Sequence, residues 1–157
     1  MSSAVVVSLR VAASPARAFE AFTEEIGLWW RPSALFQLTP RGDGVMRFEG
    51  GAGGRLVTAL PNGKEFEIGR ITHWAPGERL VFTWRQATFA PEQITQVAVR
   101  FDPVGDETRV TIEHSGWDCV PREHVARHGM PERLFLIRQG DHWRTLLASL
   151  NERLAGA

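Results

Sequence analysis

The 157-residue chain has one cysteine, no tyrosine and no net charge. With Cys119 alone, an intrachain disulfide cannot form, and the composition suits a reducing cytosol. Lys and Arg total 18, as do Asp and Glu, so nothing in the overall charge draws the chain to DNA, RNA or anionic lipid. Lys/Arg patches interleaved with rings, the footprint of a nucleic-acid binder, are also missing. No apolar run approaches the roughly 18 residues a membrane span needs. The opening MSSAVVVSLRV lacks a basic region followed by an apolar run and a cleavage site, so no signal peptide is expected. The expectation is a cytoplasmic protein that engages neither membrane nor nucleic acid.

Six Trp and nine Phe stand against the missing Tyr. Rings without hydroxyls favour an apolar interior over a polar recognition surface. Apolar residues make up 43% and charged residues 23%, ordinary values for a globular chain. The length predicts one domain, residues 1–157, large enough to bury a core.

Val5, Val7, Leu9 and Val11 alternate with Val6, Ser8, Arg10 and Ala12, which predicts a strand with one buried face. Ser14-Pro15 gives an N-cap and a proline at the first helical position. Phe19, Phe22 and Ile26 share the face of the helix that follows, and Gly27 is expected to break it. Phe36–Thr39 reads as a short edge strand. Strands are predicted at 45–49 and 55–60 around Gly50–Gly54, then at 64–74 after the turn Pro61-Asn62-Gly63. Leu80, Phe82 and Trp84 alternate, as do Val97, Val99 and Phe101, then Val110, Ile112 and His114. From about 132 to 154 the pattern is helical. Trp143, Leu146, Leu147, Leu150 and Leu154 form one stripe, and Gly140 marks a bend or a close approach to the sheet. The expected fold class is α+β: a curved antiparallel sheet of six or seven strands wrapped around a long C-terminal helix, with two short helices after the first strand.

Several blocks resemble one family. They are Ser14–Phe19, Trp29-Trp30-Arg31-Pro32, the Glu49–Arg55 hairpin, Gly69–Pro76 followed by Arg79–Trp84, Thr108–Trp117 and Gly140-Asp141-His142-Trp143 with Leu147 and Leu150. In this order they are similar to the START-like, or birch-pollen-allergen-like (SRPBCC), superfamily. The branch is that of single-domain proteins similar to the C-terminal domain of the activator of the heat-shock chaperone ATPase. The resemblance implies a helix-grip fold. Function follows less directly, because the superfamily includes lipid carriers, hormone receptors, polyketide cyclases and co-chaperones.

Trp30, Phe66, Phe82, Trp84, Phe101, His114 and Trp143 are the candidate ligand-binding residues. Each ring taken singly reads as core packing, but the set together suits the wall of an apolar cavity. His114 reads either as the polar group that orients a ligand or as a core histidine with a backbone partner. His73 poses the same choice. Arg70 and Arg85 are either outward-facing or cations for a ligand carboxylate. His124 and His128 have the i,i+4 spacing of a metal pair, but Val125 stands where a zincin needs Glu, so no metal or cofactor is expected. Cys119 has no evident activating partner. No Gly-x-Ser-x-Gly elbow occurs, and the Gly50–Gly54 run lacks the Lys-Ser or Lys-Thr of a phosphate loop. The leading expectation is a protein that binds a small hydrophobic molecule and is not an enzyme. The alternatives are a cyclase or dehydratase using the same cavity, or a stress-associated module whose partner is a chaperone. A homodimer is a further partner candidate.

Overall fold

The computed structural model describes residues 4–30, 45–59, 63–85, 94–116 and 132–155. The element order is β1 (Ala4–Val11), α1 (Pro15–Glu24), α2 (Ile26–Trp29), β2 (Val45–Phe48), β3 (Arg55–Ala59), β4 (Glu65–Ala75), β5 (Arg79–Trp84), β6 (Thr95–Val104), β7 (Glu107–Ser115) and α3 (Glu132–Ala155). The seven strands form one sheet in the order β1-β7-β6-β5-β4-β3-β2, with every pairing antiparallel. This is the expected helix-grip architecture. The expected strand at Phe36–Thr39 lies outside the described residues, as do Cys119, His124 and His128.

Alternation places Val5, Val7, Val97, Val99, Val110 and Ile112 on the concave face, all buried. Against that face lies the α3 stripe Trp143, Leu146, Leu147, Leu150 and Leu154, also buried. Ser14 caps α1 by accepting from the Arg17 amide at 3.2 Å. α1 and α2 close the side of the grip. Ser149 Oγ donates to the Trp29 carbonyl at 2.6 Å, and Trp29 Nε1 donates to the Ala21 carbonyl at 2.9 Å. Glu25 bridges Arg17 of α1 and Arg153 of α3. No described helix is long and apolar enough to cross a membrane.

Gly27 does not break the helical region. α1 ends at Glu24 with Glu25 as its C-cap, and Gly27 sits inside α2. Its reason is packing: a Cβ there would fall 2.9 Å from Val45 Cγ1 and 3.0 Å from the Met46 carbonyl oxygen, so a bare Cα lets α2 press on β2.

The sheet curls where β4 carries extra residues. Leu56 pairs with Gly69 but Val57 with Glu67, which leaves Ile68 over; Ile71 pairs with Phe82 but His73 with Val81, which leaves Thr72 over. Such bulges bend a strand and raise its twist.

Gly140 marks the approach of α3 to β1. A Cβ at this position would lie 3.5 Å from Val5 Cγ1 and 3.8 Å from Val7 Cγ2, which is ordinary contact. Gly140→Ala is therefore expected to stabilise the fold by about 0.5–1 kcal/mol, through helix propensity and a less flexible unfolded chain. A urea denaturation midpoint moving upward checks this.

Candidate functional site

β5 and β7 end, and β6 begins, at the same end of the sheet, which places Trp84, His114 and Thr95 together. The first half of α3 covers this end, since Gly140 lies against Val5 and Val5 pairs with His114. Trp30 closes α2 beside it. Trp30, Trp84 and Trp143 form a triad with centroid separations of 5.4, 5.6 and 6.3 Å. Trp84 and Trp143 are buried; Trp30 is partly exposed. The His142 ring stands edge-on to Trp30 at 6.2 Å. Phe82 lies 6.4 Å from Trp84, and Phe48 packs on Phe82 at 5.2 Å.

Of the seven sequence-predicted residues, Trp30, Phe82, Trp84, His114 and Trp143 thus share one end of the interior. Phe66 flanks the core on β4, with the Arg85 guanidinium carbon 5.7 Å from its ring centroid. Phe101 belongs elsewhere: it packs on Phe19 at 5.3 Å and Phe22 at 6.0 Å, beneath α1.

His114 is fully buried. Trp143 Nε1–H can only donate, and it meets His114 Nδ1 at 3.1 Å, so Nδ1 is the bare nitrogen. Nε2 therefore carries the hydrogen and donates to Thr95 Oγ1 at 2.8 Å. Thr95 in turn donates to the Trp84 carbonyl at 2.8 Å. This chain of hydrogen bonds ties α3 to β7, β6 and β5 and fixes one tautomer. Burial, with a smaller contribution from His142, lowers the His114 pKa to about 3; burial lowers that of His142 to about 4. Both rings are neutral at pH 7. Glu113, the neighbour of His114, points to the exposed outer face, so the two do not form an acid–base pair. His73 and Arg70 are exposed.

Thr95 and Gln139 were not among the expected residues. Both were within reach of the pattern. Thr95 extends the Val97–Phe101 alternation two residues back, and Gln139 lies four before Trp143 on the same face of α3. Gln139 is 4% exposed, and its Oε1 is buried without a hydrogen-bond donor among the described residues. Arg85 Nε is likewise buried without an acceptor among the described residues. Two concavities lined by described residues do not include the triad. One, of about 450 Å³, runs between β1 and α3; the other, of about 330 Å³, lies on the outer sheet face around Arg79 and Arg100.

The solved structures that resemble this fold are distant in sequence. Protein MLL2253 of Mesorhizobium loti is 18% identical, with 98% of each chain covered and a TM-score of 0.68. The Aha1 dimer of Colwellia psychrerythraea is 21% identical, covering 96% of this chain and 95% of that one, with a TM-score of 0.62. DynU16, a protein of the dynemicin biosynthetic locus, is 18% identical with a TM-score of 0.64; the match covers 98% of this chain and 47% of DynU16. At these identities the likeness shows the fold alone. Curated proteins yield no sequence match. The sequence family described as activator of Hsp90 ATPase homolog 1-like protein matches residues 12–140. The chain therefore belongs to the activator of Hsp90 ATPase homolog 1-like family, a START-like branch with a helix-grip fold.

Proposed function

We propose that this protein binds a small apolar molecule at the aromatic end of the grip, between the sheet and α3. The observation that carries this reading is the Trp30–Trp84–Trp143 triad, in which two indoles are buried and Trp30 remains partly exposed. Trp30 is the member an incoming ligand meets first. Gln139 Oε1, buried on the same face of α3 as Trp143, is a polar atom that a ligand donor would satisfy. His114 serves this site by holding Trp143 in place rather than by titrating, since its two ring nitrogens are engaged within the protein.

A ligand that buries roughly 300 Å² of apolar surface gains about 7.5 kcal/mol at about 25 cal/mol per Å², before the cost of association. Native mass spectrometry of the protein as purified, followed by denaturing extraction, tests the reading. A co-purifying small molecule supports it. A bare protein mass, together with no binding across a broad panel of lipids and aromatic metabolites, overturns it. Trp30→Leu is expected to weaken binding of any panel member at least tenfold with the fold intact, read by calorimetric titration.

The family description supports a second reading, activation of a chaperone ATPase. This reading requires no ligand. It uses a surface contact, for which exposed Leu28 and Val45 of neighbouring α2 and β2 are the apolar candidates. Addition of the protein to purified Hsp90 and measurement of ATP hydrolysis separates the two: an unchanged rate counts against the second.

A further inference from the structure

Most described arginines are matched to a carboxylate. Arg10, Arg17, Arg47, Arg55, Arg70, Arg100, Arg144 and Arg153 each have one within 4.0 Å. Arg79, Arg109, Arg133 and Arg138 have none among the described residues, and each is exposed, so water satisfies it. Arg85 differs from both groups. It is only partly exposed, and among the described residues its guanidinium makes no ion pair and its Nε, sealed from solvent, has no acceptor.

Its position is fixed by the fold. The Arg85 amide donates to the Ile68 carbonyl at 2.8 Å, at the residue that bulges out of the β3–β4 register. The side chain then lies over the Phe66 ring, 5.7 Å from guanidinium carbon to centroid. A ring face offers a cation some stabilisation, but it supplies no hydrogen-bond acceptor for Nε–H. Leaving a buried donor of a charged group unmade is costly, and such a group in a native structure calls for a functional role, a water or an ion to account for it. Arg85 stands one residue beyond the end of β5, next to Trp84, where its direction is set by the contact with Phe66, a ring packed against the core, and not by the strand alternation. The fork of a guanidinium matches a carboxylate with two parallel hydrogen bonds.

We infer that the molecule held at the aromatic end is an apolar carboxylate, whose anionic group pairs with Arg85 while its apolar body lies against the triad. This rests on the ligand-binding reading above and adds the chemical class. A neutral amide of the same body would keep the apolar contacts and lose the charge-assisted pair.

The test uses matched pairs of probes: decanoate with decanamide, and 1-naphthaleneacetate with 1-naphthaleneacetamide. Each is titrated calorimetrically into the intact chain, into Arg85→Gln and into Arg85→Lys. The expected result is that the acids bind at least tenfold more tightly than their amides. Arg85→Gln should abolish this preference, and Arg85→Lys, which keeps the charge but not the fork, should retain part of it. Acids and amides that bind equally to the intact chain overturn the anion inference and leave the apolar site standing. An acid preference that survives unchanged in Arg85→Gln also overturns it, by locating the anion elsewhere. Failure of all four probes to bind overturns the apolar site and this inference with it.

Discussion

Gly69→Ala is expected to lower the unfolding free energy by more than about 3 kcal/mol, the largest effect expected of a Gly→Ala change among the described residues. A Cβ at Gly69 would stand 1.7 Å from the Thr83 carbonyl oxygen and 2.5 Å from its carbon. Both are backbone atoms of β5, so neither can rotate aside. Gly69 lies where β4 bulges, next to the unpaired Ile68, and the Arg70 amide is held there by Thr83 Oγ1 at 2.9 Å. Relief of the clash means pulling β4 from β5 at the point that sets the curl of the sheet, with Arg85 and Phe66 displaced along with it. Equilibrium urea denaturation measures the effect. A loss below about 1 kcal/mol would show that the two strands are not in such close approach. Gly140→Ala is the internal comparison, because it adds the same methyl group to a buried glycine with ordinary clearance and is expected to shift stability the other way.

Acidification is expected to destabilise the fold well above the pH at which carboxylates titrate. His114 is held neutral in the folded protein, with its pKa lowered from 6.5 to about 3, chiefly by burial. In the unfolded chain it takes up a proton below about pH 6.5. Between these two values the unfolded state binds more protons than the folded state, so stability rises with pH and is lost as pH falls. It is complete above pH 6.5 and erodes by about 1.4 kcal/mol per pH unit toward pH 3 for His114 alone. His142, lowered from 6.5 to about 4 by burial, acts in the same direction over a shorter window, with a smaller effect because it is partly exposed. Denaturation curves at pH 7.5 and pH 5.0 should differ by about 2 kcal/mol or more. The imidazole resonances of His114 should remain those of a neutral ring at pH 5. A flat stability profile across this range, or a His114 resonance that titrates near 6.5, contradicts the buried Trp143–His114–Thr95 chain.

Much of the fold was legible because burial on one face leaves a period in the sequence. Val5 to Val11, Leu80 to Trp84 and Val110 to His114 alternate as strands in contact with one core, and the Trp143–Leu154 stripe runs at helical spacing. The inward direction of His114 followed from the same parity. Other features depend on contacts between distant segments, and no local period records them. Gly27 reads as a helix breaker in a one-dimensional pattern, but its role is set by Val45 and Met46 across the gap between α2 and β2. Phe101 has the same parity as Val97, yet the length of β6 carries it to the far end of the sheet, under Phe19 and Phe22. The partners of His114 lie 19 and 29 residues away, so which histidine nitrogen carries the hydrogen could not be read from its neighbours in sequence. Arg85 was legible only as a choice between outer face and ligand cation. Its position over Phe66 with Nε unpaired gives the second option its physical basis.

The indole N–H signals of the tryptophans provide the most direct test of ligand binding at the aromatic end. Trp30, Trp84 and Trp143 meet at that end, while Trp74 packs on Phe19 at 5.1 Å, beneath α1. In a two-dimensional 1H–15N spectrum titrated with the apolar probes, the signals of Trp30, Trp84 and Trp143 are expected to move in a saturable manner while that of Trp74 stays in place. Movement confined to Trp74, or no movement of the triad at saturating probe, would contradict a ligand site between the sheet and α3.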